Sequence, residues 1–362
     1  MTNAQSSQDY WVLVGTYTRG DSKGIYVLRL DGESGKLSPA AEVEAVNPTF
    51  LAVHPSGRYV YAVGEFGKFE GRPTGAVTAY AFDRETGRLT RLNSVSSMGG
   101  SPCHVTVDSS GRFALVANYT GGNVAVLPIN ADGSLGEAVC VQEHSGSSAH
   151  PNRQTGPHPH SVFLDAKNEY AFVPDLGIDR VTVYAFDKAT GALSPRRSSW
   201  AELRPGAGPR HMAFHPNQKN AYVINELDST VTVFDYDGAS GSLRPIQTLS
   251  TLPQGFDGNS TTAEVLVHPS GAFLYGSNRG HDSIASFGIA SETGLLTPLG
   301  HASTQGRTPR NFAIDPTGRR LFAENQDSDS IVEFLIDTDG TLRPTGQVIR
   351  VPAPVCIKFV PC

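Results

Sequence analysis

Four side chains able to handle protons and anions stand at matching places along this chain. His160 and Arg210 directly follow a proline that opens an extended segment, in PHSVFLD (Pro159–Asp165) and PRHMAFH (Pro209–His215). Glu226 and Arg279 close a following segment, in YVINE (Tyr222–Glu226) and YGSNR (Tyr275–Arg279). A carboxylate can take a proton from water, and an imidazole can give or take one near neutral pH. Guanidiniums offer planar forks to a phosphate, a carboxylate or a developing oxyanion. Burial would raise the pKa of Glu226 and Arg210 would lower it, so the arginine helps to keep the carboxylate ionised.

What makes those places equivalent is an internal repeat of about fifty residues. A strand opening with Pro runs into a tight turn: PTFLAVHPSGR from Pro48, PCHVTVDSSGR from Pro102 and PHSVFLDAKNE from Pro159. It returns as PRHMAFHPNQK from Pro209, TAEVLVHPSGA from Thr262 and PRNFAIDPTGR from Pro309. A second phrase runs out of step with it, from DGESGKL at Asp31 to DTDGTL at Asp337, and occurs seven times. Within a repeat the hydrophobic period is two, as in AVTAYAF (Ala76–Phe82) and STVTVFDY (Ser229–Tyr236), and Ser-Gly and Thr-Gly pairs supply hairpin turns. Four short strands per repeat make one propeller blade. The seventh strand-turn phrase is truncated at PVCIKFV (Pro354–Val360), and the chain opens on WVLVGTY (Trp11–Tyr17) without one. The fold predicted is an all-β, seven-bladed propeller of four-stranded antiparallel blades, closed when the C-terminal strand joins the N-terminal blade. A linear solenoid would need polar end caps. Residues 1–9 read as a loose polar tail before a single domain over 10–362. The longest insert is the polar loop Gln142–Gly156.

Antiparallel strands then bring two sets of positions to one mouth of the ring. The position after the opening proline reads Thr49, Cys103, His160, Arg210, Ala263, Arg310 and Val355, and the next adds His104, His211, Glu264 and Asn311. The end of the second strand reads Glu65, Tyr119, Leu176, Glu226, Arg279 and Gln326. Before those stand Gly64, Asn118, Asp175, Asn225, Asn278 and Asn325. His104, Asn118, Asp175, Asn278, Arg310 and Asn325 are therefore candidate substrate contacts around the four central residues. A structural role competes at each. Asn and Asp at strand ends are common turn formers, and Arg210 with Glu226 could be a buried ion pair between two strands of one blade. His54, His215 and His268 alternate with Asp108, Asp165 and Asp315 in the turn phrase, which points to one shared hydrogen-bonding task.

The bulk composition excludes several classes. A formal charge of −6 argues against a nucleic-acid footprint. No apolar run is long enough to span a bilayer, and no signal-like segment opens the chain. Cys103, Cys140, Cys356 and Cys362 lack metal-ligand spacing, although His158 and His160 could supply two ligands on one face. A cytoplasmic protein without metal or cofactor is expected, a monomer or weak homodimer.

SPCHVTVD, ANYTGGNVAVLPI, GPHPHSVFLD, VPDLGIDRV, GPRHMAFHP, VINELDSTVTVF, GSNRGHDSIA and GRTPRNFAIDP together resemble the propeller lactonase family. That family holds bacterial 6-phosphogluconolactonases and fungal carboxymuconate lactonizing enzymes, and the likeness spans Trp11 to Phe359. It implies a seven-bladed ring acting on a sugar or muconate lactone, with catalytic residues at His160, Arg210, Glu226 and Arg279. On that basis Glu226 is the expected base toward water, with His160 and Arg210 at the carbonyl oxygen. Arg279, with Arg310, would clamp a remote anion. A muconate-type cycloisomerase would use the same clamp. A non-enzymatic binding platform would be expected to carry its informative residues on outer surfaces.

Overall fold

A computed structural model describes residues 8–362, apart from the side chains of 196–199. The described chain forms seven four-stranded antiparallel sheets, one per repeat. Six blades are continuous in sequence, beginning at the strands Leu51–Val53, Pro102–Val107, Phe163–Leu164, Pro209–Phe214, Thr261–Val267 and Pro309–Ile314. The remaining blade is composite. Pro354–Pro361 pairs antiparallel with Tyr10–Thr16, from Tyr10 opposite Pro361 to Gly15 opposite Cys356, and so closes the ring. The expected tail falls mostly on residues 1–7, which lie outside the described residues. Asp9 is tied down by Arg29 at 2.9 Å and by the Gly32 N–H at 3.0 Å.

The strand that opens each repeat lies innermost, where it packs against its counterpart in the adjoining blade. The second strands are buried on both faces, as the alternation of apolar residues requires once blades stack face to face. Phe172, Phe214 and Tyr236 pack edge to face between the fourth and fifth blades. Tyr61, Tyr222 and Tyr275 are fully buried, and each hydroxyl donates to a turn glycine of the following blade: Gly133, Gly294 and Gly340, at 3.0–3.1 Å. Those glycines adopt positive φ, and a Cβ on any of them would collide with the preceding blade. The out-of-step turn phrase is thus the blade-to-blade fastener.

The histidine/aspartate turn has its own job. Nδ1 of His54, His215 and His268 accepts the N–H two residues on, as does a carboxylate oxygen of Asp108. The histidines do more: Nε2 of each also reaches a glycine carbonyl of the next blade.

Candidate active site

At the other end of the ring, the chain closes each second strand back onto the start of the first. The N–H of Glu65, Tyr119, Leu176, Glu226 and Gln326 donates to the carbonyl of Asn47, Ser101, His158, Gly208 and Thr308 respectively. One bond repeated in five blades therefore gathers the two series of positions at one mouth. A bulge refines the aim. Pairing skips Cys103, Arg210 and Arg310, so each is an extra residue opposite none on the second strand. Strict alternation is broken there, and Arg210 with His211, and Arg310 with Asn311, line the same axial space.

The mouth encloses a cavity of about 350 Å³ lined by Glu65, Cys103, Tyr119, Arg153, His160, Glu226, Arg279 and Arg310. Glu226 is its hub. Its oxygens lie 2.6 Å from Arg153, 3.1 Å from Nε of Arg210 and 2.9 Å from Arg279. Burial alone would raise the Glu226 pKa, but Arg279, Arg210 and Arg153 together hold it well below the usual carboxylate range. Arg210 is almost fully buried behind Glu226, with Nη1 on the Ala263 carbonyl at 2.7 Å. Burial, then Arg310 and Arg279, draw its pKa down to about 10, so it stays charged at neutral pH. Arg279 donates to the Thr262 carbonyl at 2.6 Å, and its Nε has no partner among the described residues.

Arg310 differs from the other three guanidiniums. No hydrogen bond or ion pair holds it among the described residues; it lies over the Tyr17 ring at 5.4 Å. Tyr17 in turn donates to Glu65 at 2.9 Å, and Thr49 donates to the same carboxylate at 2.6 Å. Four guanidiniums thus face two carboxylates, which leaves a local cationic surplus in an acidic protein. His160 stands in this field. Burial first, then Arg210, His211 and Arg310, push its pKa well below the ordinary imidazole value, so it is neutral. Its Nδ1 lies 3.7 Å from the Cys103 sulfur, and Nε2 makes no hydrogen bond among the described residues.

Of the residues expected from sequence, His160, Glu226, Arg279 and Arg310 line the cavity and Arg210 supports it directly. His104 lies deeper, in a second axial cavity. Asn118, Asp175, Asn278 and Asn325 do not reach the mouth cavity and are fully buried. Asn118, Asn278 and Asn325 donate to the carbonyls of Ser97, Thr251 and Thr304, fastening each second strand to the end of the preceding blade. Asp175 receives the N–H groups of His158 and Gly177 and binds His144 Nδ1 at 2.6 Å. The side-chain direction expected for His158 also changes. The segment before Phe163 makes only the isolated bridge Pro159–Asp175, so strand periodicity does not carry through it. His158 stacks on Tyr119 at 4.5 Å and leaves the cavity to His160. No group of three or more His, Cys, Asp or Glu side chains among the described residues is arranged to hold a metal ion.

Arg153 is the residue that sequence reasoning missed, because it belongs to no repeat. It sits in the long polar insert, which Gln154 secures to the Leu176 carbonyl at 2.8 Å and His144 secures to Asp175. The available signal was position: the insert directly precedes the strand opening that delivers His160, so it ends at the mouth.

Similarity to known proteins agrees with this geometry. The family described as lactonase, 7-bladed β-propeller, matches residues 11–359. A 6-phosphogluconolactonase of Bacillus subtilis strain 168 is 40% identical over 349 residues, 96% of this chain and 97% of its own. A 6-phosphogluconolactonase of Pectobacterium carotovorum is 39% identical over 94% of this chain and 96% of its own. Among solved structures, a periplasmic gluconolactonase of Pseudomonas aeruginosa superposes with a TM-score of 0.92 at 36% identity, covering 97% of this chain and 99% of the other. Ring, repeat and family match together place this chain in the lactonase family of seven-bladed β-propellers.

Proposed function

We propose that the chain hydrolyses an anionic sugar lactone, 6-phosphogluconolactone to 6-phosphogluconate. The observation that carries this reading is the cationic mouth cavity with one neutral imidazole, His160, whose Nε2 is open to it. Its volume falls within the usual range for small-molecule sites. A lactone is an activated ester, so no covalent nucleophile is needed. Water attacks the carbonyl carbon while His160 Nε2 takes its proton. The carbonyl oxygen becomes an oxyanion, and the cavity-facing N–H groups of Arg279 stabilise it. Collapse then breaks the bond to the ring oxygen, which receives a proton, and the ring opens to the hydroxy acid.

Glu226, the base expected from sequence, has a different part in this proposal. A carboxylate held by three guanidiniums is a weak proton acceptor, so Glu226 fixes the arginines and His160 carries the proton. Arg310, with no protein partner to give up, takes the remote phosphate at no cost in broken ion pairs. Cytoplasmic residence belongs to the same proposal, and four free cysteines fit a reducing compartment. The test is acid release at constant pH from phosphorylated and plain aldonolactones, with spontaneous opening subtracted. A rate no greater than background on every lactone would remove the proposal.

A further inference from the structure

We propose that the proton released when the lactone is opened leaves along the ring's axis, through His211 and its partner Glu264. This rests on the proposed hydrolysis, which yields an acid that ionises at neutral pH and so frees one proton per turnover. Bound substrate or product covers the mouth, and the four guanidiniums there repel a proton.

The axis offers another way out. Below the mouth lies a compartment of about 10 Å³, close to the room one water needs. It shares Glu65, Cys103 and Arg310 with the mouth cavity. His211 lines this compartment and also a second cavity of about 330 Å³ deeper on the axis. The two cavities therefore meet at one imidazole.

His211 is built to pass a proton. Nδ1 lies 3.0 and 3.1 Å from the two Glu264 oxygens, so it donates to that carboxylate and Nε2 keeps its lone pair. Nε2 is buried and has no hydrogen-bond partner among the described residues, an unusual state for a native polar atom. Glu264 is itself fixed by the Val265 N–H at 3.0 Å and by the Asn311 amide. The rings of His104 and His160 both lie 5.4 Å from His211. Only His211 of these three has a carboxylate to steady its cation. Burial draws its pKa down to about 4 against the pull of Glu264, with Arg210 and Arg310 also lowering it. Lys358 and Glu324 act on Glu264 and on each other from the deeper cavity. The proton is therefore accepted briefly and handed on. In the transfer, His160 imidazolium gives its proton to water in the compartment, and that water gives one of its own to His211 Nε2. His160 returns to neutral, and His211 becomes the imidazolium paired with Glu264. The proton then passes to water in the deeper cavity, and His211 is neutral again.

The test compares wild type with His211→Gln, Glu264→Gln and His211→Ala, each checked for native unfolding temperature. The expected result is a kcat lower by about 10-fold or more at unchanged KM, within the usual range for a proton-handling group. In His211→Ala, added imidazole restores kcat in proportion to its concentration. Wild-type kcat in the variants, or a loss that imidazole leaves untouched, overturns the route. Nitrogen NMR of the wild-type histidines decides even if the variants fail to fold. His211 must carry its proton on Nδ1, and an Nε2–H tautomer overturns the proposal. A wild type inactive on every lactone overturns the functional reading and this route with it; an active wild type with unaffected variants overturns the route alone.

Discussion

The two ends of the ring are made from the same repeat and behave differently. At the turn end, equivalent positions carry equivalent residues: histidine or aspartate, then small turn formers, with the same hydrogen bond to the N–H two residues on. At the mouth end, equivalent positions diverge, from Thr49 and Cys103 through His160 and Arg210 to Arg310 and Val355. Repetition inside one chain marks what every blade needs in order to pack. Divergence at a position that geometry holds constant marks what the molecule needs only once. The contrast can be tested by substitutions at both ends.

The largest effect belongs to Glu226→Gln. Three guanidiniums lose their shared partner, and Arg210 is left charged and almost fully buried. Breaking a buried pair from one side costs about 3–5 kcal/mol. Chemical denaturation should show a loss of that order, together with lost lactone turnover. Wild-type stability for this variant would mean that the arginines are organised by something else.

His160→Gln should separate chemistry from stability. Its Nε2 has no protein partner to lose, so the fold should be little affected while kcat falls by about 10²–10⁴. The pH profile supplies the sign. The His160 pKa lies below the ordinary value, so the neutral form persists through neutral pH. Turnover should be flat from pH 8 down past about 6.5 and fail only in more acid solution. Stability follows the same direction. His104, His160 and His211 all bind protons less readily folded than unfolded, so their contribution is present above about pH 6.5 and lost as pH falls. Glu226 and Glu264, also lowered, add a further loss on the acid side of the usual carboxylate range. A turnover limb centred at the ordinary histidine pKa would mean that His160 is not buried as described.

Much of this was legible in the sequence, for a physical reason. Period-two alternation and the offset of the two turn phrases determine four strands per blade, and the split first blade dictates closure by Pro354–Pro361. Counting strands also located His160, Glu226, Arg279 and Arg310, because antiparallel geometry converts a constant spacing into a constant height on the axis. Asn118, Asn278 and Asn325 share that height and still miss the cavity. They precede the mouth position by one residue, and their amides turn sideways to the carbonyls of the preceding blade. Arg153 was out of reach because a loop outside the repeat has no register to count. The bulges that turn both Arg210 and His211 toward the axis were equally hidden, since a single extra residue leaves no trace in a hydrophobic pattern.

A smaller effect is expected at Arg310, and it sharpens the division of labour within the mouth. Arg310→Met removes a guanidinium that no described side chain relies on for a hydrogen bond, and it keeps the stacking over Tyr17. Stability should hold within about 0.5–1 kcal/mol, the usual range for a change that breaks no network. KM for a phosphorylated lactone should rise about 10-fold or more, as expected when a charge-assisted contact is lost. KM for the unphosphorylated lactone should be unchanged, as the remote group is absent from it. Equal loss on both substrates would move Arg310 from the anion to the carbonyl oxygen.

The smallest effect lies at the turn end, with His268→Asp. Aspartate already holds this turn in other blades: Asp108 accepts the Ser110 N–H at 3.0 Å where His268 accepts the Ser270 N–H at 3.1 Å. The local cap should therefore survive. What aspartate cannot reproduce is the reach of Nε2 to the Gly318 carbonyl of the next blade, at 2.7 Å. The expected cost is one net hydrogen bond, about 0.5–1.5 kcal/mol, with turnover unchanged. If turnover fell as far as in His160→Gln, the two ends of the ring would be mechanically coupled, and divergence among repeats would no longer separate function from packing.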